Sequence, residues 1–295
     1  MARLGPVAAR WRLVDRNLSL DRPVIAGILN VTPDSFSDGG AFLDPEVAAE
    51  HAFAMVEDGA GIIDIGAEST RPGAEGIPAD VEWQRLGPVF DALTDLPVPI
   101  SVDTTRVEVA ERALDAGAVA INDVSGGRTP GLVELAARTG AGLVLMHMRG
   151  NPRTMQEDTR YHDVVADVRD VLSTARDLAV AVGCESEQVA LDPGLGFGKS
   201  VEGNLELIAR LDELVSLGAP VWIGPSRKSF LGSLLDSPAD ERLEGTIAAC
   251  VTALAGGARV FRVHDVAPVA RALGVAWAVE AARRNESESG RAEST

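Results

Sequence analysis

Short aliphatic runs alternate with longer amphipathic segments from Val24 onward. Eight runs rich in Val, Ile and Leu are typical of buried strands, at residues 24–29, 62–65, 99–102, 118–121, 142–146, 189–191, 221–223 and 260–263. Most of the segments between them place apolar residues at intervals of three and four, which predicts helices. Several of these segments end in a Gly-Ala or Ala-Gly step just before the next run, and Gly suits a helix C-cap. The pattern therefore indicates one strand–helix unit repeated eight times.

Eight such units in roughly 260 residues match an α/β fold of the (β/α)8 TIM-barrel type in number and size. An open, doubly wound sheet is the alternative. A polar residue follows each predicted strand: Asn30, Glu68, Asp103, Asn122 with Asp123, His147, Asp192, Ser226 with Lys228, and Arg262 with His264. Barrel enzymes build their sites from the carboxyl ends of many strands, so these side chains would meet at one mouth. This favours the barrel.

The connections after the first two strands are long. A plain strand-to-helix connection needs about two to six residues. The first one, "NVTPDSFSDGG", carries Asn30 and Asp38, and Asp44 with Pro45 predicts where the next helix begins. The second, "GAESTRPGAEGIPAD", carries Arg71. A capped turn and a solvated arginine would also explain these residues, but the length of both loops favours lids over the mouth.

The composition suits a globular protein, with 46% hydrophobic and 24% charged residues in a chain of 295. We predict an N-terminal extension (1–22), a single barrel domain (23–284) and a polar, disordered tail (285–295). Cys184 and Cys250 are too few for a disulfide framework and lack metal-ligand spacing, so buried thiols are expected. The first residues lack the continuous apolar stretch and the cleavage site of a secretory leader, and no later run approaches the roughly 18 apolar residues that cross a membrane. We therefore expect a cytoplasmic protein that does not bind membranes.

The net charge of −17 argues against a nucleic-acid partner. Proteins that bind nucleic acid present a basic face that neutralises phosphates. A small anionic ligand remains compatible with this charge, provided that a local basic pocket receives it.

Three polar strand ends are candidates for holding a heterocycle. Asp103, Asn122 and Asp192 would each pass for a helix cap when taken alone. Two acids and an amide that face one cavity could, however, bind a ring with several N–H donors. We interpret His147 as a residue that only supports this site.

The run "GLGFGKS" is similar to a phosphate-binding loop but fails at one position. A Walker A motif requires Gly where this chain has Pro193, so nucleotide hydrolysis is not expected. The glycines are instead expected to let the backbone approach a ligand, with Phe197 supplying an apolar face.

Two further motifs favour an anion. "GPSRKSF" places residues 226–229 between a strand and a helix, where backbone N–H groups favour negative charge. Arg262 and His264 lie two positions apart in "FRVHD" and therefore point to the same side of the sheet. A cation beside an imidazole indicates a binding site for phosphate or diphosphate.

With these residues together, the chain resembles dihydropteroate synthases, a family of pterin-binding enzymes, from about residue 24 to residue 283. The resemblance is carried, in order, by "GILNVTPDSFSDGG", "IIDIGAESTRPGA", "SVDTTR", "INDVSGG", "MHMRGNPRTMQ", "LDPGLGFGK", "GPSRKSF" and "FRVHDV". It implies a (β/α)8 barrel that joins 4-aminobenzoate to a 6-hydroxymethyl-dihydropterin diphosphate and releases diphosphate with the help of Mg²⁺. It also implies a homodimer.

The resemblance assigns roles residue by residue. The pterin would be held by Asp103, Asn122, Asp192 and Lys228. The diphosphate would contact Asn30, Arg71, Arg262 and His264, with Asn30 also binding Mg²⁺. The 4-aminobenzoate site would comprise Thr70, Pro72, Phe197 and Ser229, and the lids would carry Asp38 and Arg71. The catalytic set would be Asp103, Asp192, Lys228, Arg262 and His264.

Two alternatives stay open at this point. A pterin-dependent methyltransferase on a similar barrel would keep the acids and the amide but would need no binding site for diphosphate, and Arg71, Arg262 and His264 argue against it. A paralogue that binds pterins without catalysing the condensation would carry the same residues.

Overall fold

The structure is a computed structural model that describes residues 7–32, 44–69 and 76–292, with side chains up to residue 283. The strands of this part are β1 (Arg10–Arg12), β2 (Asn17–Ser19), β3 (Val24–Asn30), β4 (Ile62–Gly66), β5 (Ile100–Asp103), β6 (Ala120–Asp123), β7 (Gly142–Met146), β8 (Val189–Asp192), β9 (Trp222–Ile223) and β10 (Val260–Val263). The helices are α1 (Pro45–Glu57), α2 (Ala79–Ala92), α3 (Val107–Asp115), α4 (Leu132–Thr139), α5 (Val164–Val182), α6 (Val201–Ala209), α7 (Leu211–Val215), α8 (Ser229–Leu235), α9 (Leu243–Ala255) and α10 (Val266–Ala292).

The eight predicted strands are β3 to β10, and they form one parallel sheet in the order β8-β7-β6-β5-β4-β3-β10-β9. A parallel bridge between Leu191 and Val221 joins the two edges of this sheet, which closes it into a barrel. The barrel interpretation is therefore confirmed over the open sheet. Helix α1 begins as predicted, because the Asp44 side chain accepts the Glu46 N–H at 2.9 Å and Pro45 takes the first helical position.

The N-terminal extension contributes to the core. Strands β1 and β2 pair as an antiparallel hairpin, and Trp11, Leu13 and Leu20 are at most 1% exposed. They pack against the first inward-facing residues of the barrel strands, namely Ala26, Ile62, Ala120, Val144, Ala190, Trp222 and Val260. Trp11 Nε1 also donates to the Gln188 carbonyl at 2.7 Å. The hairpin thus closes the N-terminal end of the barrel, which the sequence did not predict.

Helix α10 continues to Ala292 and therefore includes residues 285–292 of the predicted tail. The disorder predicted for residues 285–295 stays a prediction.

The two cysteines are buried free thiols, as expected. Among the residues described, we find no helix that combines the length and the apolar character needed to cross a membrane.

Candidate active site

A fully buried carboxylate, Asp64 on β4, lies at the centre of the polar layer inside the barrel. Its Oδ1 accepts from Ser101 Oγ at 2.5 Å, and its Oδ2 accepts from Asn122 Nδ2 at 3.1 Å and from Arg262 Nε at 2.5 Å. The donors come from β5, β6 and β10. Because the Nδ2 of Asn122 faces Asp64, its Oδ1 lies on the other side of the amide. Asp64 therefore orients both Asn122 and Arg262.

Sequence reasoning missed Asp64. The available signal was an acid inside the aliphatic run "IIDIG". A charge in a strand buried on both faces needs partners from elsewhere in the fold, because an unpaired buried charge is very costly.

Arg262 connects this centre to Asp103 at the end of β5. Its Nη2 donates to Asp103 Oδ2 at 2.7 Å, so the guanidinium lies between two carboxylates. Burial raises the pKa of Asp103 to about 7, while Arg262 opposes the rise and the nearby Asp64 adds to it. The role predicted for Arg262 on a phosphate is not tested by this arrangement. Its charge is, however, already matched within the chain.

Asp192 and Lys228 bring a second carboxylate and a second cation to the mouth, where each influences the charge of the other. Asp192 ends β8, is 6% exposed, and accepts the Gly194 N–H at 2.6 Å. Burial raises the pKa of Asp192, and Lys228 is the strongest opposing influence. Burial also lowers the pKa of Lys228 to about 7, against the attraction of Asp192. Its Nζ donates to the Leu195 carbonyl and lies 4.1 Å from the centre of the Phe197 ring.

His264 and the loop after β9 lie side by side. Ser226 Oγ is 3.0 Å from His264 Nδ1 and accepts the His264 backbone N–H at 3.2 Å, which holds the imidazole in place. Arg227, at a φ of +58°, pairs through two hydrogen bonds with Asp265. Ser229 is exposed and begins α8. Within residues 226–229 the Lys228 side chain therefore turns toward the site, whereas that of Arg227 turns toward Asp265.

Asn30 is the last residue of β3 and is partly buried. The strand register pairs it with Gly66, which in turn pairs with Asp103. Asn30 thus joins the same rim as Asp103. The predicted residues Asp38, Thr70, Arg71 and Pro72 lie outside the described residues, so the lids and part of the 4-aminobenzoate site stay predictions.

The glycines after β8 allow close contacts within the chain. Gly194 and Gly196 adopt φ of +66° and +79°, the left-handed region that favours glycine. A Cβ on Gly194 would collide with the His147 carbonyl, and one on Gly196 would lie 2.8 Å from Lys228 Cδ. These glycines therefore let the loop pack against His147 and Lys228, and the predicted approach of its backbone to a ligand stays a prediction.

Comparison with known proteins identifies the family. A family model described as "Pterin binding enzyme" matches residues 26–264. The dihydropteroate synthase of Synechocystis sp. is 50% identical over 261 residues, which cover 88% of this chain and 90% of that protein.

Solved structures agree. The Xanthomonas albilineans dihydropteroate synthase with 4-aminobenzoic acid is 42% identical, with a TM-score of 0.87 over 93% of this chain and 99% of that one. The Yersinia pestis dihydropteroate synthase in complex with a sulfonamide drug is 41% identical, with a TM-score of 0.88 over 92% of this chain and 99% of that one. The chain belongs to the pterin-binding enzymes and, within them, to the dihydropteroate synthase family.

Proposed function

We infer that the protein is a transferase that condenses 6-hydroxymethyl-7,8-dihydropterin diphosphate with 4-aminobenzoate to give 7,8-dihydropteroate and diphosphate. The observation that carries this inference is the convergence of Asp103, Asn122, Asp192 and Lys228 at one barrel mouth in a chain of this family. The nearby Arg262 and His264 favour this reaction over one without a diphosphate.

The pterin edge suits these groups chemically. It presents ring and exocyclic N–H donors beside a carbonyl acceptor, so carboxylates and the Asn122 Oδ1 would accept from the ring while Lys228 donates to it. Buried polar groups of this kind fix the orientation of a ligand and provide specificity. Half-buried Phe197, whose ring faces the Lys228 amine, would offer its other surface to the aryl ring of 4-aminobenzoate.

The reaction needs charge stabilisation more than it needs a nucleophile from the protein. The bond between the pterin methylene and the diphosphate oxygen breaks, and its electron pair leaves with the diphosphate. The lone pair of the 4-aminobenzoate nitrogen forms the new C–N bond, and that nitrogen then loses a proton. Asp103 and Asp192 would stabilise the positive charge that develops on the pterin, since carboxylates fixed in a dry site cost no reorganisation during the step.

We propose that Mg²⁺ assists the leaving group. Within the described ranges no group of three or more His, Cys, Asp or Glu side chains could hold a metal by itself. The amide oxygen of Asn30 is a hard donor that fits Mg²⁺, an ion that usually takes few protein ligands together with substrate phosphates and waters. When bound, it would supply positive charge beside the diphosphate. Asn30, Arg71 and His264 would then surround the diphosphate, with Arg262 nearby.

We also propose a cytoplasmic homodimer. Leu234 and Leu235 on α8 and Val275 and Val279 on α10 are between 47% and 69% exposed, and both helices pack against α9. Exposed apolar side chains on two helices that pack against the same third helix are suited to a subunit interface. Light scattering should give twice the mass of one chain, and a monomer mass at all concentrations would contradict the proposal.

The function is tested by product formation. Purified protein should form dihydropteroate, detected by mass spectrometry, and diphosphate in equal amounts only when both substrates are present, and EDTA should abolish turnover. Sulfonamides should compete with 4-aminobenzoate, as the Yersinia pestis complex suggests. Pterin binding by calorimetry without any diphosphate release would instead indicate a non-catalytic paralogue, and unchanged turnover in EDTA would contradict the role of the metal.

A further inference from the structure

Lysine occurs at only two positions of this chain, 199 and 228, whereas arginine supplies the other 25 of the 27 basic residues. Both lysines lie on neighbouring loops at the barrel mouth. The Lys228 amine belongs to the site described above. Lys199 has no role in that site, although it is only 4% exposed and its pKa is lowered well below the ordinary value by burial.

The surroundings of Lys199 suit an amine. Its Nζ donates to the Gly194 and Phe197 carbonyls at 2.9 Å each and to the His147 carbonyl at 3.3 Å, and it lies 2.9 Å from His147 Nδ1. The tetrahedral amine nitrogen of lysine can form hydrogen bonds with partners on several sides of one atom at once. The planar guanidinium of arginine presents its donors as a rigid fork and cannot converge in this way.

The two anchor carbonyls enclose the part of the loop that contacts Lys228. Between Gly194 and Phe197 lie the Leu195 carbonyl, which accepts from Lys228 Nζ, and Gly196, whose backbone packs on the Lys228 side chain. At one anchor, the Phe197 ring faces the Lys228 amine. Lys199 therefore holds both ends of the segment 194–197, which we call the bracket, and the middle of this segment contacts Lys228.

We propose that Lys199 is a positioning residue for the condensation: by pinning the carbonyls of Gly194 and Phe197 to His147, it sets the place of the Lys228 amine. The proposal rests on the function proposed above, in which Lys228 contacts the pterin. Lys199 itself does not touch the substrate.

The small number of lysines allows a direct test by NMR. Protein labelled with ¹³C,¹⁵N-lysine has two lysine side-chain signals, which Lys199→Met assigns. In the unmodified protein the Lys228 signal should titrate with a midpoint of about 7. In Lys199→Met the midpoint should rise, because a released loop admits water to the Lys228 amine and burial is the main cause of its lowered pKa.

Two further variants separate position from charge. Lys199→Arg keeps a cation but loses the three-way contact, so it should shift Lys228 as Lys199→Met does. Gln156→Met removes a 2.8 Å hydrogen bond to the Gly196 carbonyl, from the exposed side of the same loop, and should leave Lys228 unchanged. A Lys228 midpoint in Lys199→Arg equal to that of the unmodified protein would overturn the proposal. A shift of the Lys228 midpoint in Gln156→Met as large as that in Lys199→Met would overturn it as well.

Kinetics gives an independent measurement. The kcat/KM for the pterin diphosphate should fall by about 10²-fold in Lys199→Met and Lys199→Arg, the scale of a misplaced contact. Gln156→Met should stay within about twofold of the unmodified protein, as surface changes usually do. Absence of turnover in the unmodified protein would contradict the proposed function, whereas the NMR titration would still test the bracket.

Pterin binding to the unmodified protein provides a test that no folding defect can obscure. Adding a diphosphate-free pterin should move the Lys228 signal and leave the Lys199 signal in place. An equal movement of both signals would mean that Lys199 contacts the ligand, and the positioning role would be wrong.

Discussion

The two ends of the barrel are built from the same strands but have opposite interiors. At the N-terminal end the inward residues are apolar, and the buried Trp11 of the hairpin meets Trp222 edge-on, with 5.6 Å between ring centres. Two residues further along the strands, Asp64, Asn122 and Arg262 point into the same interior. The difference shows that the alternation of side chains along each strand decides which residues point into the barrel interior. The chemistry of those residues decides what each end of the barrel does.

The two ends also differ in energy. Burial of apolar area stabilises the closed end directly, at about 25 cal/mol per Å². At the mouth, burial opposes the charges, as the pKa of Asp103 raised to about 7 and the pKa of Lys228 lowered to about 7 indicate. Charges in such a place are retained only by mutual pairing. The closed end therefore contributes stability, whereas the mouth gives up stability to keep charged groups where a ligand would bind.

The largest effect on the closed end should come from Trp11→Ala. Removing a fully buried indole should lower the free energy of unfolding by about 3–5 kcal/mol, since it leaves a cavity. Urea unfolding followed by circular dichroism measures this loss, and kcat at low temperature should stay close to that of the unmodified protein. Trp83→Ala, on the partly buried face of α2, is the control and should cost less. Loss of kcat in folded Trp11→Ala would show that the two ends are coupled.

A comparable effect at the mouth should follow from Arg262→Ala. It leaves Asp64 and Asp103 without their shared cation, which should lower the free energy of unfolding by about 3–5 kcal/mol at neutral pH. The loss should shrink as the pH falls, because Asp103, whose pKa is raised to about 7, then becomes neutral by protonation. Arg262→Lys, which keeps a charge, should recover part of it. An equal loss at pH 5 and pH 8 would contradict the electrostatic explanation, and Trp11→Ala should show this pH-independent behaviour.

Asp192→Asn should separate function from stability. Loss of a carboxylate that stabilises the pterin cation should lower kcat by about 10²-fold, the scale for one electrostatic group. The raised folded-state pKa of Asp192 means that its ionised form reduces stability above its unfolded pKa of 3.8, so the variant should be as stable as the original at pH 7 or more so. Stopped-flow turnover and urea unfolding give the two values. Unchanged kcat with reduced stability would mean that Asp192 is structural.

The smallest effect at neutral pH should come from His147, whose contribution to stability develops only as the pH falls below 6.5. Burial lowers the pKa of His147 in the folded state to about 3, below its ordinary value of 6.5. The unfolded state therefore takes up a proton first, and stability falls as the pH drops from 6.5 toward 3. His147→Asn, which can still accept from Lys199, should remove a slope of about 1.4 kcal/mol per pH unit in this window. Urea unfolding at several pH values measures it. The exposed His162→Asn is the control, and a slope unchanged in His147→Asn would refute the prediction.

Much of the architecture could be predicted because it depends on local patterns. The aliphatic runs predicted all eight barrel strands, and Asp44 with Pro45 predicted the start of α1. The convergence of Asp103, Asn122 and Asp192 followed from their places at parallel strand ends. The roles of Asn30, Arg71 and His264 on a diphosphate, and of Mg²⁺, depend on the family resemblance and stay predictions.

The sequence by itself determined which residues alternate into the barrel and which lie at its carboxyl end, because period and strand direction are properties of neighbouring residues. Only the tertiary structure decided the pairings: Arg262 with Asp64, 198 residues away, the three-way contact of Lys199, and the hairpin against Trp222. The reason is physical. A buried charge or an open barrel end takes whichever partner the closed sheet brings within a few ångströms, and that distance depends on the register of all eight strands together.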